Sequence, residues 1–226
     1  MTTPDRSTDS SQHPWRGIDL DVYERHMSDS RVGQLQLLRD ITRDQLQAYP
    51  SGSVAVLGVA GGNGLDLVDA ETTRVVYGFD INPDYLRACE SRYRDVLGDR
   101  LQLIETGIDR FLSLEPVDLV IANLIVEYVG TDEFAAFAGA NAPSIGVLSC
   151  VIQRNDVEGF VSSTEDASAF VGLASVASDV EPDVLAARMF DAGFETVISV
   201  EYPLPNGKTL IRQDFRPITH EQQEHS

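Results

Sequence analysis

Lysine is nearly missing from this chain. Of its 17 basic residues only Lys208 is a lysine, and the rest are arginines. Cysteine is as scarce: Cys89 and Cys150 stand far apart and form no C-x-x-C pair. That excludes a disulfide-stapled scaffold and a cysteine zinc site, and no other metal site is expected. No run of eighteen apolar residues occurs, which excludes a membrane-spanning helix. The opening stretch MTTPDRSTDSSQHPW lacks the apolar core of a secretion signal, so a cytoplasmic location is expected. Basic charge as a whole is short. Against 36 acidic residues, the 17 basic ones leave a formal net charge of −19. A field of that sign favours solubility and repels phosphate backbones and anionic lipid. Neither nucleic acid nor a membrane is the expected partner.

What remains is ordinary globular composition, 42% hydrophobic and 23% charged over 226 residues. That suits one α/β domain, able to bury roughly 70% of its unfolded-chain surface without staples. Residues 1–14 and 219–226 are polar and are expected to be disordered tails. Between them a single domain is expected over 15–218, with no linker or repeat dividing it. Its first part, 17–49, reads as helical, because Val32, Leu35, Leu38, Ile41 and Leu46 recur at helical spacing before Pro50 and Gly52. Short apolar runs at 54–59, 75–79, 101–105, 117–122 and 146–152 then read as buried strands. Helices are expected between them at 65–68, 83–97 and 131–140. Such alternation predicts a doubly wound parallel sheet covered on both faces. The end differs. After a helix over 182–192, β-prone runs at 194–202 and 208–215 flank an Asn206-Gly207 turn signal. The predicted sheet is therefore seven-stranded and mostly parallel, closing in an antiparallel hairpin.

The strongest motif is Val54-Ala-Val-Leu-Gly-Val-Ala-Gly-Gly-Asn-Gly64. A buried strand runs into glycines, which let a backbone approach a ligand, and a helix N-terminus following them offers N–H groups to an anion. Tight turns also use glycines without binding anything. Asp80 sharpens the signal. It ends the second strand 22 residues after Gly58, where strand ends lie side by side at a crevice. A carboxylate there can accept both ribose hydroxyls of an adenosine; the plainer alternative is a cap on the turn before Pro83. Together the two point to an adenosine-containing ligand, a nicotinamide dinucleotide or S-adenosylmethionine. The dinucleotide fingerprint G-x-G-x-x-G, set on Gly58, meets Ala60 and Asn63 where it needs glycine.

Over residues 54–215 the chain resembles the class I S-adenosylmethionine-dependent methyltransferases. Gly58-Val-Ala-Gly-Gly62 corresponds to their G-x-G-x-G turn, Asp80 to their acidic strand end, and Asp118-Leu-Val-Ile-Ala-Asn123 to their fourth strand. The terminal hairpin agrees. Tyr23-Glu-Arg-His-Met-Ser and Val32-Gly-Gln-Leu-Gln resemble the helical lid of small bacterial and archaeal members of unassigned substrate. The resemblance implies a Rossmann-like fold, S-adenosylmethionine as cofactor and methyl transfer to a small-molecule acceptor. It implies cofactor contacts at Gly58, Val59, Ala60, Gly61, Gly62, Asn63, Asp80, Ile81, Asn82, Asn123 and Leu124. Three positions depart from the pattern. Val56 stands where an acidic residue is common. Ala60 replaces the middle glycine, which a negative φ would accommodate. Gly107 occupies the usual adenine-binding position, leaving Asp109 either to supply that contact or to serve as a surface or capping residue.

Methyl transfer from a sulfonium needs mainly orientation, and a general base only when the acceptor holds its proton. The candidates near the methyl are Asn123, Leu124, Glu127 and Tyr128. Glu127 could be a base or a solvated loop carboxylate, and Tyr128 a catalytic or a packing residue. His26, with Tyr23 on the same helical face, either faces the acceptor or lies on the helix surface. The Asn-Pro-Pro-Tyr element of nucleic-acid amino-methylating enzymes is missing, which again favours a small acceptor. The long segment 153–178, with Ser162, Ser163 and Thr164, is either an acceptor-side lid or a cap-and-turn cluster. Other readings are a nicotinamide-dependent oxidoreductase and a non-catalytic adenosine-ligand-binding protein, and the chain is expected to be a monomer or homodimer.

Overall fold

A computed structural model of the chain describes residues 13–155 and 166–218. Ser162, Ser163, Thr164 and most of both expected tails lie outside these residues. His13 and Pro14, placed in the first tail by sequence, begin a 3-10 turn over Pro14–Gly17.

Among the described residues seven strands form one sheet in the order β3-β2-β1-β4-β5-β7-β6. They are β1 (Ser53–Leu57), β2 (Val75–Asp80), β3 (Leu101–Glu105), β4 (Val117–Asn123), β5 (Ile145–Arg154), β6 (Phe194–Pro203) and β7 (Thr209–Pro217). β1 to β5 pair in parallel, while β7 runs antiparallel between β5 and β6. The predicted doubly wound sheet with a closing hairpin is present. The hairpin turn forms as its Asn-Gly pair requires: Gly207 takes φ +81°, and the Asn206 side chain accepts from the Lys208 N–H at 3.1 Å. Lys208, the lone lysine, is 3% exposed there.

Among the described residues six α-helices accompany the sheet: α1 (Leu20–Ser28), α2 (Gln34–Ala48), α3 (Pro83–Leu97), α4 (Val126–Val129), α5 (Thr131–Asn141) and α6 (Pro182–Asp191). The main core joins α5 and α6 to the sheet through Phe134, Phe137, Leu185, Leu148, Phe194 and Phe215, all fully buried. On the other face α3 brings Leu86, Cys89 and Leu97 against Val59 and Val76. Beside it α2 sets Leu38 and Ile41 on Val151 and Leu210, and Leu46 near Val54 and Leu119.

The helix expected over 65–68 is only a 3-10 turn, Leu65–Leu67. Gly64 enters it at φ +92°, and Val68 leaves it extended. The next donors are taken locally, because the Asp69 carboxylate accepts from the Glu71 N–H at 2.9 Å. α2 already occupies the neighbouring space: a Cβ on Gly64 would meet the Thr42 Cγ2 at 2.9 Å. The glycine loop therefore leads into no helix dipole. The helix expected over 131–140 is preceded by the single turn of α4, from which Gly130 separates it at φ +87°.

A buried polar chain pins α2 to the sheet. Gln45 Nε2 donates to Asn123 Oδ1 at 3.0 Å and to Ser149 Oγ at 2.8 Å. Ser149 donates to Asp214 at 2.5 Å, which also accepts from Arg212 at 2.6 and 2.9 Å and from the Tyr49 hydroxyl at 2.8 Å. Arg212 is 4% exposed and Asp214 0%. Removing one partner of a buried pair strands the other charge, at a cost of about 3–5 kcal/mol. Asp214→Ala is therefore expected to lower the unfolding free energy by about that amount in urea denaturation. A change under about 1 kcal/mol would show that the chain contributes little.

Candidate functional site

A cavity of about 890 Å³ opens at the carboxyl ends of the parallel strands. Gly58 after β1, Asp80 ending β2, Thr106 after β3, Asn123 ending β4 and Gln153 near the end of β5 all line it. This is the crevice position at which doubly wound sheets bind ligands. Its roof comes from two distant parts of the chain. One is the Pro14–Gly17 turn with α1, and the other is a 3-10 segment, Ala167–Ser175. Ile18, Phe170 and Leu173 form the buried centre of this roof, with Trp15, Tyr23 and Tyr128 packed against it. Arg25 pairs with Asp166 at 2.8 and 3.0 Å across the outside. Asn82 Nδ2 ties the Trp15 carbonyl down at 3.0 Å.

Asp80 organises the floor. It is 8% exposed, and its carboxylate accepts from the Ala60 N–H and the Asn82 N–H, each at 2.8 Å. It thus performs the turn-capping role considered for it and still borders the cavity. Two carboxylate oxygens carry about four acceptor positions, so capacity for a ligand remains. Burial, opposed by those backbone donors, raises its pKa. Gly58, Ala60, Ile81, Asp109 and Leu124 also border the cavity.

The other residues of the glycine motif are placed elsewhere. Val59 is 4% exposed in the core under α3. A Cβ on Gly62 would meet Tyr93 at 2.5 Å and Cys89 at 3.0 Å, and one on Gly61 would meet Arg92 and Glu24. These glycines let α3 and α1 approach the loop. Asn63 donates to the Leu35 carbonyl at 2.9 Å, fastening the loop to α2. Asn82 caps α3, accepting from the Asp84 N–H at 2.9 Å. The Asn123 amide is committed to Gln45 and Thr42 of α2. Asp109 accepts from the Phe111 and Leu112 N–H groups at 2.8 and 3.1 Å, so the capping alternative describes its side chain.

Ala60 corrects an expectation. Its φ is +47°, not negative, and the bond from its N–H to Asp80 holds it in a region that an L-residue reaches at a cost of about 1–2 kcal/mol. Leu124 is a second such residue, at φ +57°. Its N–H donates to the Val151 carbonyl at 2.8 Å. Strain of this kind gathers where surrounding structure overrides local preference, often at ligand sites.

At the far side of the cavity Glu127 is 1% exposed, which overturns the solvated alternative. One oxygen accepts from the Gln153 N–H at 2.6 Å; the other, Oε2, is buried without a partner. Burial pushes its pKa up to about 7. His26 is 5% exposed rather than on the helix surface. Its ring lies 4.5 Å from that of Phe170, and burial lowers its pKa. Tyr128 packs edge-on to Trp15 at 5.1 Å.

Trp15 and Tyr85 are among the lining residues that the sequence did not single out. Trp15 follows a polar tail with no periodicity to mark it. Tyr85 sits in the first turn of α3, where an aromatic residue signals nothing by itself. Its ring stacks on Tyr23 at 6.2 Å, and its hydroxyl, like Glu127 Oε2, is buried without a partner.

No family model matches the sequence, and no curated protein matches it either. Solved structures do. Magnesium protoporphyrin IX methyltransferase from Synechocystis PCC 6803, with bound S-adenosylmethionine, is 16% identical at TM-score 0.68, covering 95% of this chain and 100% of that one. The N-methyltransferase NodS from Bradyrhizobium japonicum WM9 is 15% identical at TM-score 0.58, covering 81% and 96%. The [4+2]-cyclase SpnF is 10% identical at TM-score 0.62, covering 81% and 82%. The fold is that of the class I S-adenosylmethionine-dependent methyltransferases, and SpnF illustrates that this fold carries more than one reaction.

Two outcomes are expected from this geometry. Ala60→Gly relieves the positive φ and raises stability by about 1 kcal/mol in chemical denaturation; a loss of stability would mean that the alanine is not strained. For Glu127, the folded state keeps a proton up to about pH 7 that an unfolded glutamate releases near 4.5. Its contribution to stability is full below 4.5 and is lost as pH rises through about 7. Glu127→Gln should therefore flatten the fall in unfolding free energy over that window, and an unchanged slope would place the titration elsewhere.

Proposed function

We propose that this protein is an S-adenosylmethionine-dependent methyltransferase acting on a small molecule. The observation that carries the reading is the Asp80 clamp. A carboxylate with acceptor capacity left over borders the cavity, two backbone N–H groups fix its direction, and the unpartnered Tyr85 hydroxyl borders the same cavity. A nucleoside fits that donor set: Asp80 takes ribose hydroxyls and Tyr85 supplies a further polar contact. Gly58 and Ala60 bring backbone close, and Thr106 to Ile108 border the space beyond. When bound, the cofactor supplies a methyl group on a sulfonium, an electrophile that needs no activation.

The chain's own part is then positional. The roof of Trp15, Tyr23, Phe170 and Leu173 excludes water. The strained turn at Leu124 and the polar chain through Asn123 keep the end of β4 in one place. Reactants held this way gain the effective concentration that makes displacement fast, worth roughly 7–11 kcal/mol in well-oriented cases. The strand order ends β7-β6 with β7 antiparallel, unlike the six-strand order of dinucleotide-binding sheets, which speaks against the nicotinamide reading.

Calorimetry with S-adenosylmethionine, S-adenosylhomocysteine and NAD tests the reading, with binding of the first two expected. Asp80→Ala, checked for native circular dichroism, should weaken S-adenosylhomocysteine binding by about tenfold or more, the loss of a charge-assisted hydrogen bond. Unchanged affinity would remove Asp80 from the nucleoside site. Binding without turnover across an acceptor panel would make the protein a sensor of the same ligand.

A further inference from the structure

Glu127 has no part in the clamp, yet its placement is costly. A carboxyl 1% exposed, with one oxygen unsatisfied, is a poor thing to bury unless a ligand completes it. The surroundings specify what kind of ligand. The next residue, Tyr128, meets Trp15 edge-on at 5.1 Å, and Trp15 meets Tyr23 in the same way at 5.6 Å. All four residues border the one cavity. A carboxylate beside aromatic faces is the combination that holds an ammonium group, by charge-assisted hydrogen bonding and cation–π attraction. The wider charge agrees. Among the described residues, Asp80, Asp109, Glu127 and Glu133 border the cavity against a single Arg110, and Arg110 is paired to Glu133, its backbone N–H reaching the carboxylate at 2.8 Å. A chain of net charge −19 draws cations and repels anions.

We propose that the methyl acceptor is a primary or secondary amine, held as its ammonium by the Glu127 carboxylate against the Trp15 and Tyr128 rings, and that Glu127 removes its proton. This deepens the methyltransferase reading and rests on it. An ammonium nitrogen has no lone pair. Transfer of one N–H proton to Oε2 leaves a neutral amine and a carboxylic acid. The nitrogen lone pair then forms the bond to the methyl carbon as the carbon–sulfur bond breaks, and that electron pair stays on sulfur. The product carries the positive charge away as an N-methylammonium, and the carboxylic acid returns its proton to water. A carboxyl raised by burial to about 7 is suited to such an exchange near neutral pH. A neutral alcohol donates a hydrogen bond to the carboxylate but brings no opposite charge to it, and an anionic acceptor is repelled by it.

The other titratable groups around this end of the cavity are each shifted by burial toward the neutral form. Burial lowers His26 of α1 and raises Tyr23 of α1, Tyr128 of its own helix and Cys150 of β5. Asp80 lies at the end of β2, two strands from the end of β4, about 10 Å along the sheet.

The test is calorimetry on the full chain, with and without S-adenosylhomocysteine. The probes are linear, cyclic and aromatic primary and secondary amines, each beside its isosteric alcohol. Amines should bind and the alcohols should bind at least about tenfold more weakly. Amine affinity should rise with pH through 7 and fall again where the amine itself loses its charge. Glu127→Gln should abolish the rising limb and weaken amine binding by about tenfold or more, while S-adenosylhomocysteine affinity stays unchanged. With S-adenosylmethionine, a bound amine should gain one methyl group by mass spectrometry. Alcohols binding as well as amines, or no amine binding at all, would overturn the assignment. So would a Glu127→Gln protein that loses S-adenosylhomocysteine but keeps amines, since Glu127 would then serve the nucleoside's own amino-acid tail. Amine binding by a protein that ignores S-adenosylhomocysteine would leave the amine site standing and defeat the methyltransferase reading alone.

Discussion

The carboxylate of Asp80 is the constraint from which the site follows. It is the last residue of β2, it accepts from the Ala60 N–H across the adjacent loop, and it accepts from the Asn82 N–H at the start of α3. One side chain thereby fixes the loop after β1, the turn after β2 and the entry to a helix. The consequences spread outward. Ala60 is held at positive φ because its N–H is needed there. Asn82 is held as the cap of α3, and from that position its amide secures the N-terminal turn that roofs the cavity. Floor and roof therefore share a single origin.

The fold was largely legible in the sequence because its signals were local. Buried parallel strands show as short apolar runs, Pro83 and Pro182 mark helix starts, and Asn206-Gly207 marks the hairpin. The helix expected at 65–68 failed for a non-local reason: α2, distant in sequence, fills the space beside Gly64. Propensity cannot register a neighbour that arrives through tertiary packing. The glycines of the loop were legible as a cluster but not by role. Gly58 borders the cavity, whereas Gly61 and Gly62 permit contact with α1 and α3.

Of the candidate site, the residues at strand ends were readable, since topology alone brings Gly58, Asp80 and Asn123 to one edge. Side-chain direction was not. Asn123 turns to Gln45, and Asp109 folds onto its own turn. Burial was equally hidden: Glu127 follows a strand where solvated carboxylates are ordinary, yet the Ala167–Ser175 segment and α1 close over the same cavity. Trp15 and Tyr85 carried no periodic or motif signal, because their importance comes from a roof assembled out of remote segments.

The buried position of Lys208 has a consequence for handling and for surface chemistry. The folded domain presents no lysine ammonium to solvent, since the lone one is 3% exposed. Acylating labels and amine-coupled supports will find little on its faces. Its outward positive charge is carried by guanidinium groups, which keep their protons at every physiological pH. The molecule's charge thus changes on acidification through its carboxylates and few histidines, and on the mildly alkaline side through the buried Lys208, whose pKa burial lowers to about 8.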